Sequence, residues 1–234
     1  MSNHRFARLY AACEAPVAAF DCGEKCAPYN AGGLPFCCDP RHAVPTLYLE
    51  EWAYLQEAAP GFWRPWEGET PEETQALREE TPQGQIPAVC AGPAFCATHR
   101  PYRSLTCRAF PFFPYLDRQS NFLGLSYYWQ YEDRCWLLSH LDVVTEAYRD
   151  QFVQAFEQLF RWYPRERENF RYHSMIMRRV FGRWHREIPL LHRDGGWFLV
   201  RPRDGRLRPV DPRWLPKHGV YAIAADLPFP DEVA

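Results

Sequence analysis

The sequence predicts an α+β fold that is mainly α-helical, with a loop-rich cysteine region packed with several helices and a small C-terminal β-hairpin. Three observations predict this class. Apolar residues recur at helical spacing in several segments, Gly and Pro interrupt the region that holds the densest cysteines, and two short β-rich runs flank Arg-Asp-Gly near the end. The 234 residues, 47% of them apolar, are enough to bury a substantial core.

The first predicted elements lie on either side of a loop. Residues 1–21 are expected to form a short amphipathic helix followed by a turn, and residues 22–45 a loop, because Gly and Pro recur there. A helix is expected to begin at Thr46, a residue type that caps helix N-termini. It is expected to end at Ala59, before Pro-Gly.

A capping pattern predicts the next helix. Thr70 is expected at the N-cap and Pro71 at the first helical position, with Glu73 at the capping-box site. Glu50 and Glu51 of the preceding helix are interpreted as part of a solvated face.

The later segments predict strand and then longer helices. Residues 86–118 are expected to be loop and short strand, and "NFLGLSYYWQY" is either a strand or the approach to a helix. Apolar spacing predicts a helix from about Val143 to Phe160, and "ENFRYHSMIMRRVFGRWHREI" predicts another. The basic, aromatic stretch "MRRVFGRWHRE" is interpreted as an amphipathic helix. Finally, "GGWFLVRPRDGRLRPV" predicts the C-terminal hairpin.

The distribution of the cysteines suggests that the chain has two regions, because all nine cysteines precede residue 140. Residues 1–140 are predicted to be a cysteine-cluster metal-binding domain, and residues 141–234 a helical region with the hairpin, which can belong to the same domain. A net charge of −2 gives no argument for nucleic acid or a membrane surface. No apolar run suits a signal peptide or a membrane span, so a cytoplasmic protein with reduced thiols is expected.

Four thiols lie within the stretch "CGEKCAPYNAGGLPFCC". In a reduced compartment such thiols favour zinc or iron–sulfur binding over disulfides, although disulfide pairing stays open. Cys13 is interpreted as a packed thiol. His42 and His99 lie near the cysteines and are an alternative source of a ligand in a Cys3His site, although a histidine in a loop is more often not a ligand. The predicted metal ligands are Cys22, Cys26, Cys37, Cys38, Cys90, Cys96, Cys107 and Cys135.

The motif "YRSLTCRAFPFFP", with the cysteines before it, resembles the YkgJ-like cysteine-cluster family of zinc- or iron-chelating proteins. The spacer between Cys26 and Cys37 is longer than in that family, and Ser104 stands where the family has proline. The resemblance covers about residues 20–136. It implies a site that binds zinc or iron, and a 4Fe-4S cluster is one form that the iron can take. Flagellin lysine-N-methylases carry a more distantly similar cluster. The matching residues are Cys22, Cys26, Cys37, Cys38, Cys90, Cys96, Arg103, Cys107, Arg108, Phe110, Pro111 and Cys135.

Three functions are compatible with this resemblance. The first is a metalloprotein that chelates zinc or iron through thiolates. The second is a metal-dependent enzyme such as an iron–sulfur protein-modifying methylase, and the third is a metal-stabilised module that binds a protein partner. Arg103 and Arg108 flank Cys107 and are expected to lower the pKa of its thiol and to offset thiolate charge. No catalytic residue stands out.

Overall fold

The computed structural model describes residues 5–223. Its helices and its strands are each numbered in chain order. The helices are α1 (Arg5–Ala12), α2 (Gly23–Cys26), α3 (Leu49–Ala58), α4 (Pro71–Glu80), α5 (Pro93–Thr98), α6 (Leu105–Ala109), α7 (Glu146–Trp162), α8 (Pro164–Arg183) and α9 (Val220–Ile223). The strands are β1 (Thr46–Tyr48), β2 (Trp63–Pro65), β3 (Gln85–Cys90), β4 (Phe112–Leu116), β5 (Phe122–Tyr127), β6 (Ile188–His192), β7 (Trp197–Val200) and β8 (Leu207–Val210).

The fold class predicted from sequence is wrong in its β content. The strands form two antiparallel sheets, one of three strands in the order β1-β3-β2 and one of five in the order β4-β5-β6-β7-β8. The expected C-terminal hairpin, β7 with β8, exists only as the last two strands of the larger sheet. Strands β3 and β4 account for the short strand expected over residues 86–118. All five residues of β4 are buried, so its sequence shows no alternation of apolar and polar residues, and the five-stranded sheet that it joins was not predicted.

The chain folds into two compact units, and each is interrupted in sequence. Unit 1 comprises the described residues up to Glu14 together with Gly23–Phe110. Unit 2 comprises Ala15–Cys22 and the described residues from Pro111 onward. Residue 140, where the cysteine distribution suggests a boundary, lies within unit 2.

In unit 1, strand β3 is central to the small sheet, with β1 and β2 on its two sides. Thr46 does not cap a helix as expected: it lies in β1 and its hydroxyl donates to Gln85 Oε1 at 2.7 Å, while α3 begins three residues later. The predicted start of α4 is confirmed, since Thr70 Oγ1 accepts from the Glu73 amide at 3.2 Å and Pro71 follows the cap.

Helix α1 confirms the predicted amphipathic helix near the N-terminus. It buries Phe6, Leu9 and Tyr10 and ends at Ala12. Residues 1–4 of the predicted segment lie outside the described residues.

In unit 2, helices α7 and α8 cover strand β4. Phe112 contacts Tyr148 of α7, with ring centroids 5.8 Å apart, and Phe113 contacts His173 of α8 at 4.4 Å. Adjacent strand residues point to opposite faces, so both faces of this edge strand are covered. Pro164 ends α7 as expected and also starts α8, because proline at the first helical position removes no helical hydrogen bond.

The segment Ala15–Cys22 packs within unit 2 although most of that unit follows residue 110. The Thr145 amide donates to Val17 O at 3.1 Å, and the Thr145 hydroxyl to Pro16 O at 3.0 Å. The ring of Phe20 lies 5.7 Å from that of Trp136. Among residues 5–223, no helix has the length and apolar character needed to cross a lipid bilayer.

Candidate metal-binding thiol cluster

Five of the eight predicted ligand cysteines lie in one neighbourhood of unit 1. Cys37 and Cys38 occupy a single turn of 3-10 helix, and their sulfur atoms are 3.9 Å apart. Cys90 ends β3, Cys96 lies in α5 and Cys107 lies in α6. Negative charge on Cys38 or Cys90 would raise the pKa of Cys107 and that of Cys96, so these four sulfurs lie near one another. These five cysteines are called the thiol cluster below.

The guanidinium of Arg103 lies among these thiols. Burial alone would lower its pKa, but interaction with Cys107, Cys96 and the Cys37–Cys38 pair raises it above the ordinary value. One guanidinium nitrogen donates to Cys107 O at 3.1 Å, whereas Nε is buried without a hydrogen-bond partner among the described residues. A half-buried guanidinium whose buried Nε has an unused proton favours negative charge on the sulfurs near it.

The thiols themselves have raised pKa values. Burial raises the pKa of Cys107 to about 12, and this outweighs the lowering by Arg103 and by the hydrogen bond with Ser104. Burial also raises the pKa of Cys90 and that of Cys96. The expected lowering by Arg103 is therefore present but smaller than the effect of burial. A metal bound here has to displace the thiol protons.

Helix α6 positions Cys107 through its N-terminal cap. Ser104 is fully buried, and its hydroxyl accepts a hydrogen bond from the Cys107 amide at 3.2 Å. A serine cap satisfies one of the unpaired amides at the start of this short helix. Serine at position 104 thus has a structural role as the N-cap of α6.

The donor chemistry of the thiol cluster suits a soft metal, since zinc and iron–sulfur clusters both take four thiolates. The ligand geometry of a metal site is not preformed: within residues 5–223, no three Cys, His, Asp or Glu side chains are already arranged to hold a metal ion. Binding a metal therefore requires the sulfurs to turn toward a common point.

Of the other three predicted ligands, one adjoins the thiol cluster and two belong to unit 2. Cys26 ends α2, which packs against the turn containing Cys37 and Cys38, and its sulfur donates to Gly23 O at 3.4 Å. Cys22 and Cys135 belong to unit 2, where Cys135 is buried and its amide donates to Tyr131 O at 2.8 Å. The role of these three cysteines stays a prediction.

The two histidines considered as ligands make local contacts. His42 Nε2 lies 3.2 Å from Asn30 Oδ1, and its ring contacts Phe36. The His99 ring stacks on Phe95 with centroids 4.0 Å apart, and its Nδ1 lies 2.8 Å from the hydroxyl of Thr98.

A buried aspartate that the sequence analysis missed organises the loop before Cys37 and Cys38. Asp39 is only 2% exposed; it accepts from Asn30 Nδ2 at 2.9 Å and from Arg41 Nε at 2.9 Å. The hydrogen bond from Arg41 holds the pKa of Asp39 well below its ordinary value. The long spacer between Cys26 and Cys37 is thus an ordered loop. The signal in the sequence that could have revealed this role of Asp39 is its place at the start of a turn that contains proline.

Arg108 has a different role from Arg103. Its guanidinium donates to the main-chain oxygens of Tyr10 at 3.2 Å and Cys13 at 3.0 Å, and lies 4.1 Å from the centroid of the Tyr10 ring. It therefore joins α6 to the end of α1.

Glu51 is the second buried carboxyl group of unit 1, and the expectation of a solvated face was wrong for it. It is fully buried, whereas its neighbour Glu50 is exposed. The Glu51 carboxylate accepts from the amide of Leu105 at 2.6 Å, from that of Tyr48 at 3.2 Å, and from the hydroxyl of Tyr10. Burial raises its pKa to about 7. Its partners Tyr10 and Leu105, from α1 and α6, enclose the carboxylate, which also caps the start of α3 through the Tyr48 amide.

Comparisons of this chain with protein-family models, with curated proteins and with solved structures find no match. The fold and the thiol cluster therefore carry the functional argument by themselves.

Proposed function

We propose that this protein is a thiolate metalloprotein whose thiol cluster binds zinc or iron, the latter as a single ion or as an iron–sulfur cluster. The observation that carries the proposal is the group of five cysteines close enough to the guanidinium of Arg103 for their charges to interact with it. Four thiolates around a divalent zinc ion carry excess negative charge, and a half-buried arginine offsets part of it.

The local structure supports this reading in a second way. The cluster cysteines come from four separate segments: a 3-10 turn, the end of β3, α5 and α6. A metal that links such segments contributes free energy to folding, about 10–16 kcal/mol in structural zinc peptides. Unit 1 has only a three-stranded sheet and short helices around the cluster, so this contribution would be large for it.

The test is metal content by mass spectrometry, with a visible absorption spectrum, on protein purified without oxygen. Wild-type protein is expected to hold zinc or iron in stoichiometric amount. Cys90→Ser and Cys107→Ser are expected to lower that amount to below about a fifth, because each removes a donor for which serine is a poor substitute. Cys13→Ser is the matched control, since Cys13 is a buried thiol of the same unit outside the cluster.

Circular dichroism on each variant separates loss of metal from loss of fold. A wild-type protein that stays metal-free after reconstitution with zinc, and with iron and sulfide, contradicts the proposal. Equal metal loss in Cys13→Ser also contradicts it, because the effect would then come from core damage.

A further inference from the structure

The near-zero net charge of the whole chain conceals a strongly basic stretch in unit 2. Residues 161–217 carry 15 arginines and lysines against six carboxylates. The basic, aromatic part of α8 noted in the sequence lies within this stretch. The structure shows which other residues join it.

Four exposed arginines from three segments of unit 2 form what we call the arginine face: Arg118, Arg179, Arg183 and Arg203. Arg118 lies in the β4–β5 turn and donates to Pro202 O at 3.2 Å and to Arg203 O at 2.6 Å in the β7–β8 loop. The last turn of α8 adjoins the same loop, since a Cβ at Gly182 would lie 3.8 Å from Pro202 Cβ. Arg179 and Arg183 flank this glycine one helical turn apart.

The arginine face lacks ion pairs at three of its four positions: among the described residues, Arg179, Arg183 and Arg203 form none. Two carboxylates of the same segments pair with other arginines: Asp204 with Arg201, and Glu168 with Arg171 at 2.8 Å. Asp117 accepts hydrogen bonds from uncharged groups of its own turn, and within residues 5–223 Arg118 donates to carbonyl oxygens. Like charges four residues apart, as in Arg179 and Arg183, repel each other, so an external anion is attracted to this face.

Exposed aromatic rings lie beside these arginines. Tyr172, two helical turns before Arg179 on the same side of α8, is 60% exposed, and Trp184 next to Arg183 is 48% exposed. Guanidinium groups bind backbone phosphates, and exposed rings stack with unpaired bases. We propose that the arginine face, with Tyr172 and Trp184, binds single-stranded nucleic acid without sequence preference.

The test uses the full chain and a fluorescein-labelled oligouridylate of about 20 nucleotides, with fluorescence anisotropy across a series of salt concentrations. Wild-type protein is expected to bind with a micromolar dissociation constant at low salt. With four phosphate contacts, log K is expected to fall against log salt with a slope of about −3. Arg179→Glu/Arg183→Glu is expected to weaken binding at least tenfold and to reduce the slope to about −1.4.

The matched control is Arg64→Glu/Arg78→Glu, which reverses two exposed arginines of unit 1 and changes net charge equally. It is expected to change affinity less than about twofold. Tyr172→Ala, at an exposed position that folding does not require, is expected to weaken oligouridylate binding about fivefold. The same substitution is expected to leave the binding of inorganic polyphosphate unchanged, because polyphosphate has no bases.

Three results overturn the proposal. The first is the absence of oligouridylate binding at low salt. The second is an equal loss of oligouridylate affinity in the two double variants, which would indicate general charge attraction. The third is binding to phosphatidylserine vesicles without binding to the oligonucleotide, which would assign the face to a lipid surface.

Discussion

Two buried carboxyl groups in unit 1 have opposite pKa shifts because their hydrogen-bond partners differ. Asp39 receives charged hydrogen bonds from Arg41, which stabilise its ionised form. Glu51 receives only uncharged donors, two amides and a tyrosine hydroxyl, and these do not compensate the loss of water. A charged hydrogen-bond donor therefore lets the ionised Asp39 stabilise unit 1 near neutral pH, whereas Glu51, which lacks such a donor, does not.

Glu51 gives unit 1 a pH-dependent stability. Because its pKa is about 7 in the folded protein against an ordinary 4.5, the folded state retains a proton that the unfolded state loses. This contribution is complete below about pH 4.5 and is lost as the pH rises to about 7, with a total of about 3 kcal/mol. Glu51→Gln is expected to flatten this dependence.

The measurement is urea-dependent proteolysis at about pH 5 and about pH 7.5, with cleavage sites in residues 23–110 mapped by mass spectrometry. Glu50→Gln, an exposed neighbour, is the control and is expected to behave as wild type. A Glu51→Gln protein with an unchanged pH dependence would assign the effect to other groups.

Asp39 is expected to hold the loop before the thiol cluster in place. Asp39→Ala leaves Arg41 and Asn30 without their shared acceptor, and is expected to cost about 2 kcal/mol of local stability. Hydrogen exchange of peptides spanning residues 30–42 measures this cost. Glu24→Ala, at an exposed carboxylate of the same unit, is expected to have no effect, and equal exchange rates in the two variants would show that Asp39 does not stabilise the loop.

At the scale of elements, the five-stranded sheet depends on a close approach between β5 and β6. Gly124 has a φ of +151°, and a Cβ there would lie 2.1 Å from the carbonyl oxygen of Leu191. Both the backbone conformation and the space therefore require glycine. The irregular pairing of β4 with β5 lies opposite this position, between Tyr115 and Leu116.

Gly124→Ala is expected to destabilise unit 2 by about 3 kcal/mol, because the backbone of β6 has to move away. Gly182→Ala is the contrasting control: it lies in α8 with ordinary space around it, and is expected to stabilise by about 0.5 kcal/mol. Thermal unfolding by circular dichroism measures both. The prediction is contradicted if the two alanines change stability in the same direction.

Elements with a strong local signal were predictable from sequence, and elements that depend on distant partners were not. The cap at Thr70 and the apolar spacing of α7 are local patterns, and both elements formed as expected. The joining of β4 and β5 to β6–β8 in one sheet and the burial of Glu51 depend on partners far along the chain, which no local pattern reveals. The five cysteines of the thiol cluster were among the eight candidate ligands named from the sequence. The different contacts of Arg103 and Arg108 became visible only in the structure.

At the scale of the whole molecule, the chain passes between the two units three times: after Glu14, after Cys22 and after Phe110. The segment Ala15–Cys22 is thus an early part of the chain that completes unit 2. Its hydrogen bonds with Thr145, the N-cap residue of α7, fix this segment at the start of that helix.

Substitution in this segment is expected to loosen unit 2. Ala18 is 1% exposed, so Ala18→Asp buries an unpaired charge and is expected to destabilise the unit by about 3 kcal/mol. Ala19→Asp, one residue further at an exposed position, is the matched control. Hydrogen exchange of peptides from α7 is the measurement, and faster exchange confined to α3 of unit 1 would refute the assignment of this segment to unit 2.

The place of residues 15–22 in the chain has a consequence for biosynthesis. These residues leave the ribosome long before Trp136, Thr145 and Gln151, with which they later make contact. Since domains generally fold as units in the order of synthesis, unit 2 cannot be completed while its helices are still being translated. The nascent protein therefore has to keep this short segment available, and a chaperone that binds it during translation would delay unit 2 rather than unit 1.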